Sequence, residues 1–163
     1  MSGPGAAKTP CMGGEAREKD PFAGLRIQVV DDDPSIVNCL SRMLRDNSFL
    51  VSSACDGEKA YEMILKDRPD LVITDLCMPK MDGLELIRRL RADAATEFLP
   101  VIILSSQCLI EDHLKGYEMG VDDYLDKPFS LEEMLLRIKN LLLKAGSGRG
   151  NACTDTGVTG AGR

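Results

Sequence analysis

At 163 residues the chain has the length of one domain with room for ends outside it. Its hydrophobic content of 44% suits a globular core, and aromatics at 4% with no Trp leave that core to aliphatic side chains. The net charge of −6 concentrates in residues 22–144, where 15 basic face 22 acidic side chains, a poor match for a phosphate backbone, so direct nucleic-acid binding is not expected.

Residues 1–21 are rich in Gly, Pro, Ala and charge and lack apolar periodicity. They read as a disordered segment, because they cannot bury enough surface to offset the entropy of ordering. No stretch approaches the roughly 18 apolar residues of a membrane span, and the N-terminus lacks the apolar core of an export signal. The six cysteines (11, 39, 55, 77, 108 and 153) form no CxxC pair and show no metal-ligand spacing. Reduced thiols and a cytoplasmic location are therefore expected.

From residue 22 onward, short aliphatic runs alternate with amphipathic stretches. Arg26–Val30 reads as the first strand. Asp33 can cap the helix after it, with Pro34 at its first position and Ile36, Val37, Leu40, Met43 and Leu44 on one face. Phe49–Ala54 is the second strand, followed by a helix marked by Ala60, Met63 and Ile64. Leu71–Thr74 is the third, and Leu84, Leu86, Ile87 and Leu90 stripe the next helix. Val101–Leu104 is the fourth, before a helix over Leu109–Met119 that Gly120 ends in a left-handed cap. His113 on that helix reads as a solvated surface residue. Asp123–Leu125 is the fifth strand, and Leu131, Met134, Leu135, Ile138, Leu141 and Leu142 stripe the fifth helix. Residues 145–163, with six Gly, read as a disordered tail or linker stub, which sets a domain of 22–144. Five β-α repeats predict an α/β fold, a doubly wound parallel sheet with helices on both faces; the expected form is flavodoxin-like, and in strand order 2-1-3-4-5 its switch point lies between strands 1 and 3.

Parallel strands all end on one side of a sheet, and open α/β sheets bind ligands there, where the strand order reverses. Asp31, Asp32 and Asp33 follow the first strand, Asp75 the third, Ser105 and Ser106 the fourth, and Lys127 the fifth. Three crowded carboxylates repel one another, and a divalent cation relieves that conflict. Hard oxygens with access to water suit Mg²⁺. A metal beside a carboxylate and a lysine also fits phosphoryl transfer, in which charge spreads over three oxygens. Asp75 would be the nucleophile, with the metal, Lys127 and the Ser105 hydroxyl each taking one oxygen.

Four motifs in order and spacing carry a resemblance over about residues 24–144. They are Val29-Val30-Asp31-Asp32-Asp33-Pro34, the run from Asp70 through Asp75, Pro79 and Gly83, the run from Pro100 to Ser105-Ser106, and Tyr124-Leu125-Asp126-Lys127-Pro128-Phe129. The chain resembles the receiver domains of two-component response regulators, including the stand-alone chemotaxis regulator. The resemblance implies a signalling phosphoprotein that catalyses only its own phosphoryl transfer and slow dephosphorylation. Asp75 would be the phosphoacceptor, fed by a sensor histidine kinase or a histidine phosphotransfer protein. Asp31 and Asp32 would form the acidic pair with Asp32 the direct metal ligand, Asp33 being left as a cap, and the Cys77 backbone carbonyl would complete a Mg²⁺ site that Mn²⁺ could also fill. Lys127 would precede a cis Pro128. Ser105 and Tyr124 would form the switch pair, Tyr124 turning inward, and Cys77 and Gln107 would tune phosphoryl lifetime. A downstream protein or a second copy would dock on about residues 107–144.

Two other readings compete. A receiver-like module could act through protein contacts without phosphorylation, against which the complete acidic site argues. A haloacid-dehalogenase-type phosphatase could use Asp31-Asp32-Asp33-Pro34-Ser35, but it gives Asp75 and Lys127-Pro128 no role. No helix-turn-helix or kinase sequence follows residue 144, so the output is expected to be docking or a further domain joined at the tail.

Overall fold

The computed structural model describes residues 20–106 and 118–148. Its elements are β1 (Arg26–Val30), α1 (Pro34–Asp46), β2 (Leu50–Ala54), α2 (Gly57–Lys66), β3 (Leu71–Asp75), α3 (Gly83–Ala92), β4 (Val101–Ser105), β5 (Asp123–Asp126) and α4 (Leu131–Gly148). The helix expected over 109–119 lies almost wholly outside the described residues, as do His113, Gln107 and Cys11, Cys108 and Cys153. All strands pair in parallel in the order β2-β1-β3-β4-β5.

Strand alternation sorts the core into two layers. Val30, Val72, Val101 and Ile103 face Ala60, Ile64, Leu86, Ile87 and Leu90 on α2 and α3. Ile27, Val29, Leu71, Ile73, Ile102 and Leu104 face Leu40, Leu44, Met134 and Ile138 on α1 and α4. Because β3 and β4 are covered on both sides, every residue in them is buried. That accounts for their unbroken aliphatic sequences.

Local chemistry sets most element ends. The Asp33 carboxylate accepts from Ser35 N at 2.8 Å, with Pro34 opening the helix. Asp56 and Asp82 cap α2 and α3 in the same way, accepting from Lys59 N at 2.9 Å and Glu85 N at 2.8 Å. Gly120 has φ +79° and Lys127-Pro128 is cis, both as expected.

Five element ends differ from the sequence reading. Phe49 stands outside β2, packed on Phe22 with ring centroids 6.5 Å apart. Asp75, Ser105 and Asp126 belong to their strands rather than to the loops beyond. The last helix continues to Gly148, past the expected domain end at 144. Ala145, Gly146 and Ser147 line one groove with Pro21, Phe22, Leu25 and Leu142.

Candidate functional site

The site forms where β1 and β3, adjacent in the sheet, end beside each other. The Asp31 main chain continues the sheet for one step, its N–H donating to Ala54 O at 3.2 Å. That bond leaves the buried Asp31 carboxylate at the carboxyl edge. One oxygen accepts from Asp33 N at 2.8 Å and the other from Lys127 Nζ at 2.8 Å. The same ammonium donates to Asp75 Oδ1 at 2.9 Å. Lys127 is fixed in turn through its backbone, whose N–H donates to Ser105 O at 2.7 Å.

Oxygens of Asp31, Asp32 and Asp75 lie within 4.8 Å of one another. Asp31 and Asp75 are buried, whereas Asp32 is exposed and makes no side-chain hydrogen bond or ion pair among the described residues. Three carboxylates and one ammonium leave the ionised cluster at −2, the charge a divalent cation cancels. Both Asp31 oxygens are already engaged, so Asp32 offers the open ligand. Oxygen donors partly open to water fit a hard cation.

Burial raises the Asp75 carboxyl above its ordinary range. The Lys127 hydrogen bond and charge oppose this, while Asp31 and Asp32 add to it. Burial alone would lower Lys127, but its bonds to Asp31 and Asp75 outweigh that and hold the ammonium above its usual value. A carboxyl raised on folding binds its proton more tightly in the native state, so metal-free stability falls as pH rises from the ordinary Asp range through the Asp75 value. Asp75→Asn is therefore expected to raise the melting temperature in chelator at pH 7 and to flatten that pH dependence. A lower melting temperature there would contradict it.

Ser105 is buried at the end of β4, where it pairs with Asp126, one step beyond the pairing of Asp75 with Leu104. Cys77 is exposed and lines a groove with Asp32, Leu76 and Met78. Tyr124 is only 6% exposed and belongs to the α2–α3 layer of the core.

Gly83 opens α3 without a positive φ, and what it provides is room. A Cβ there would lie 2.3 Å from the Asp75 carbonyl oxygen. The close approach lets Gly83 N donate to Leu76 O at 3.0 Å, which closes the loop after β3.

Residues 27–139 match the model of the response regulator receiver domain. The response regulator MprA of Mycobacterium leprae is 43% identical over 118 residues, covering 72% of this chain and 51% of that protein. MprA of Mycobacterium ulcerans is 44% identical over 118 residues, with 72% and 50% covered. The chain thus spans about half the length of the curated relatives it matches. Among solved structures, the Francisella response regulator 1452 receiver domain is 33% identical at a TM-score of 0.69, covering 74% of this chain and 98% of that one. The chemotaxis response regulator CheY4 of Vibrio cholerae is 30% identical at 0.69, covering 73% and 99%. With four separated segments converging on one acidic edge and this fold beneath them, the chain belongs to the response regulator receiver domain family.

Proposed function

We propose that this protein takes a phosphoryl group onto Asp75 from a phosphohistidine on a sensor kinase or phosphotransfer protein. An Asp75 oxygen forms the new bond to phosphorus, the phosphorus–nitrogen bond breaks, and the imidazole leaves with its electron pair. The observation that carries this reading is the Lys127 ammonium held between Asp31 and Asp75 beside the exposed Asp32. Lys127 neutralises charge on the transferring group, and the Ser105 hydroxyl is the third donor. Mg²⁺, for which Mn²⁺ can substitute, would be held by Asp31, Asp32, Asp75 and the Cys77 carbonyl, and supplies charge stabilisation to the phosphoryl oxygens. No water-orienting carboxylate stands at Cys77 or Gln107, which favours slow hydrolysis of the phosphoryl group.

With acetyl phosphate and Mg²⁺, intact mass should rise by one phosphoryl group, and Asp75→Asn should abolish the gain. The same gain in Asp75→Asn, with peptide mapping to no substitute residue, would overturn the assignment. For the metal, Asp32→Asn should weaken Mg²⁺ binding by about tenfold or more, while Asp33→Asn changes it little because Asp33 serves as a helix cap. Equal losses in a calorimetric titration would mean the acidic pair is misassigned.

The signal leaves through Ser105, which engages the phosphoryl oxygen and shifts the equilibrium toward a state with Tyr124 locked inward. A downstream protein or a second copy docks on about residues 107–144, of which 107–117 lie outside the described residues. Among the described residues no helix is long and apolar enough to cross a membrane, which suits a cytoplasmic signalling protein.

A further inference from the structure

The loop from Leu76 to Asp82 carries Cys77 and is tied down at both ends. At its start, Leu76 N donates to Leu104 O at 2.9 Å and Gly83 N to Leu76 O at 3.0 Å. At its far end it meets the start of α2. Gly57 N donates to Met81 O at 3.3 Å, and a Cβ on Gly57 would lie 2.6 Å from that same oxygen. The one charged tie at this end joins Lys80 Nζ to Asp56 Oδ2 at 3.0 Å.

Two observations set this pair apart from an ordinary surface ion pair, which contributes little. The Asp56 side chain is only 7% exposed, and its other oxygen caps α2 through Lys59 N, so the anchor is fixed. Lys80 itself has φ +67°, a left-handed conformation that disfavours any residue with a Cβ and persists only where the surroundings impose it. The neighbouring Met81 is buried at 3% exposure and supplies the second fastening.

We propose that the Lys80–Asp56 pair is a latch that holds the β3–α3 loop in its strained form and so positions the Cys77 carbonyl for the metal. Lys80 touches neither metal nor phosphoryl group; it is a positioning residue. With the latch cut, the Lys80 backbone relaxes toward negative φ and the carbonyl three residues upstream loses its fixed direction. This inference depends on the Mg²⁺ site proposed above.

The test is calorimetric titration of Mg²⁺ into the full chain, with amide exchange of residues 76–83 measured without metal. Lys80→Ala should weaken Mg²⁺ binding about fivefold, less than the tenfold or more typical of a group bonded directly to a ligand. Loop exchange should accelerate in the same variant. Asp56→Asn keeps a capping side chain but removes the charge, and should act alike; the double variant should lose no more than either single one. Lys80→Arg should restore both readouts. Wild-type affinity in Lys80→Ala, fully additive losses, or failure of Lys80→Arg to rescue would each overturn the latch. Absence of both Mg²⁺ binding and phosphoryl uptake in the unaltered protein would overturn the proposed function instead.

Discussion

Gly83→Ala should destabilise the fold by about 3 kcal/mol, the upper range for forcing an atom into a packed site. The added methyl would stand 2.3 Å from the Asp75 carbonyl oxygen and 3.2 Å from Leu76 Cα, both backbone atoms that cannot swing aside. Relief requires β3 or the start of α3 to move, and β3 is fixed between β1 and β4. Asp75 itself is displaced, so phosphorylation by acetyl phosphate should slow on the order of 100-fold, the scale of an ångström-sized misplacement. Urea denaturation and time-resolved intact mass read the two effects separately. A variant that keeps both the stability and the phosphorylation rate would show that the helix gives way at no cost.

Arg91→Ala should cost about 2 kcal/mol without touching the acidic site, because it removes a set of hydrogen bonds made by one largely buried guanidinium. The guanidinium joins three segments at the opposite edge of the sheet. It donates to Gly120 O at 3.0 and 2.8 Å, to Leu99 O at 2.8 Å and to Asp122 Oδ2 at 3.0 Å. The same Asp122 oxygen accepts from Val101 N at 2.8 Å, so α3, the start of β4 and the entry to β5 share one knot. Burial lowers the Arg91 pKa, which marks how far the group is desolvated. Arg91→Lys should recover little, since a single ammonium cannot reproduce the fork. A loss below about 1 kcal/mol for Arg91→Ala would reduce the knot to a surface contact.

The parts of this molecule legible in sequence are those governed by neighbours in the chain. Asp33 before Pro34 announces a helix start, and runs such as Val101–Leu104 announce a strand buried on both faces. The convergence of Asp31, Asp75 and Lys127 was also legible, because parallel topology fixes which loops share an edge. Contacts between distant loops were not. Arg91 on the helical stripe reads as one more surface cation, and nothing near Lys80 foretells its bond to Asp56, 24 residues earlier. The end of α4 was missed because its glycines, weak helix formers, signal a stop that the helix passes. Gly83 was noticed, but the oxygen that forbids a side chain there belongs to Asp75.

Lys127 lies 96 residues from Asp31 and 52 from Asp75, yet it is the cation that makes their proximity tolerable. During synthesis or refolding the two aspartates can be brought together by β1 and β3 well before β5 exists or docks. Over that interval the growing site is an uncompensated cluster of negative charge. The acidic cluster is therefore completed only by Lys127, just past the last strand, through a contact that closes a loop of 96 residues. Chains truncated before residue 127 keep every carboxylate of the site and lack the charge that holds them together, so a partly made protein carries the acidic cluster without its counter-charge.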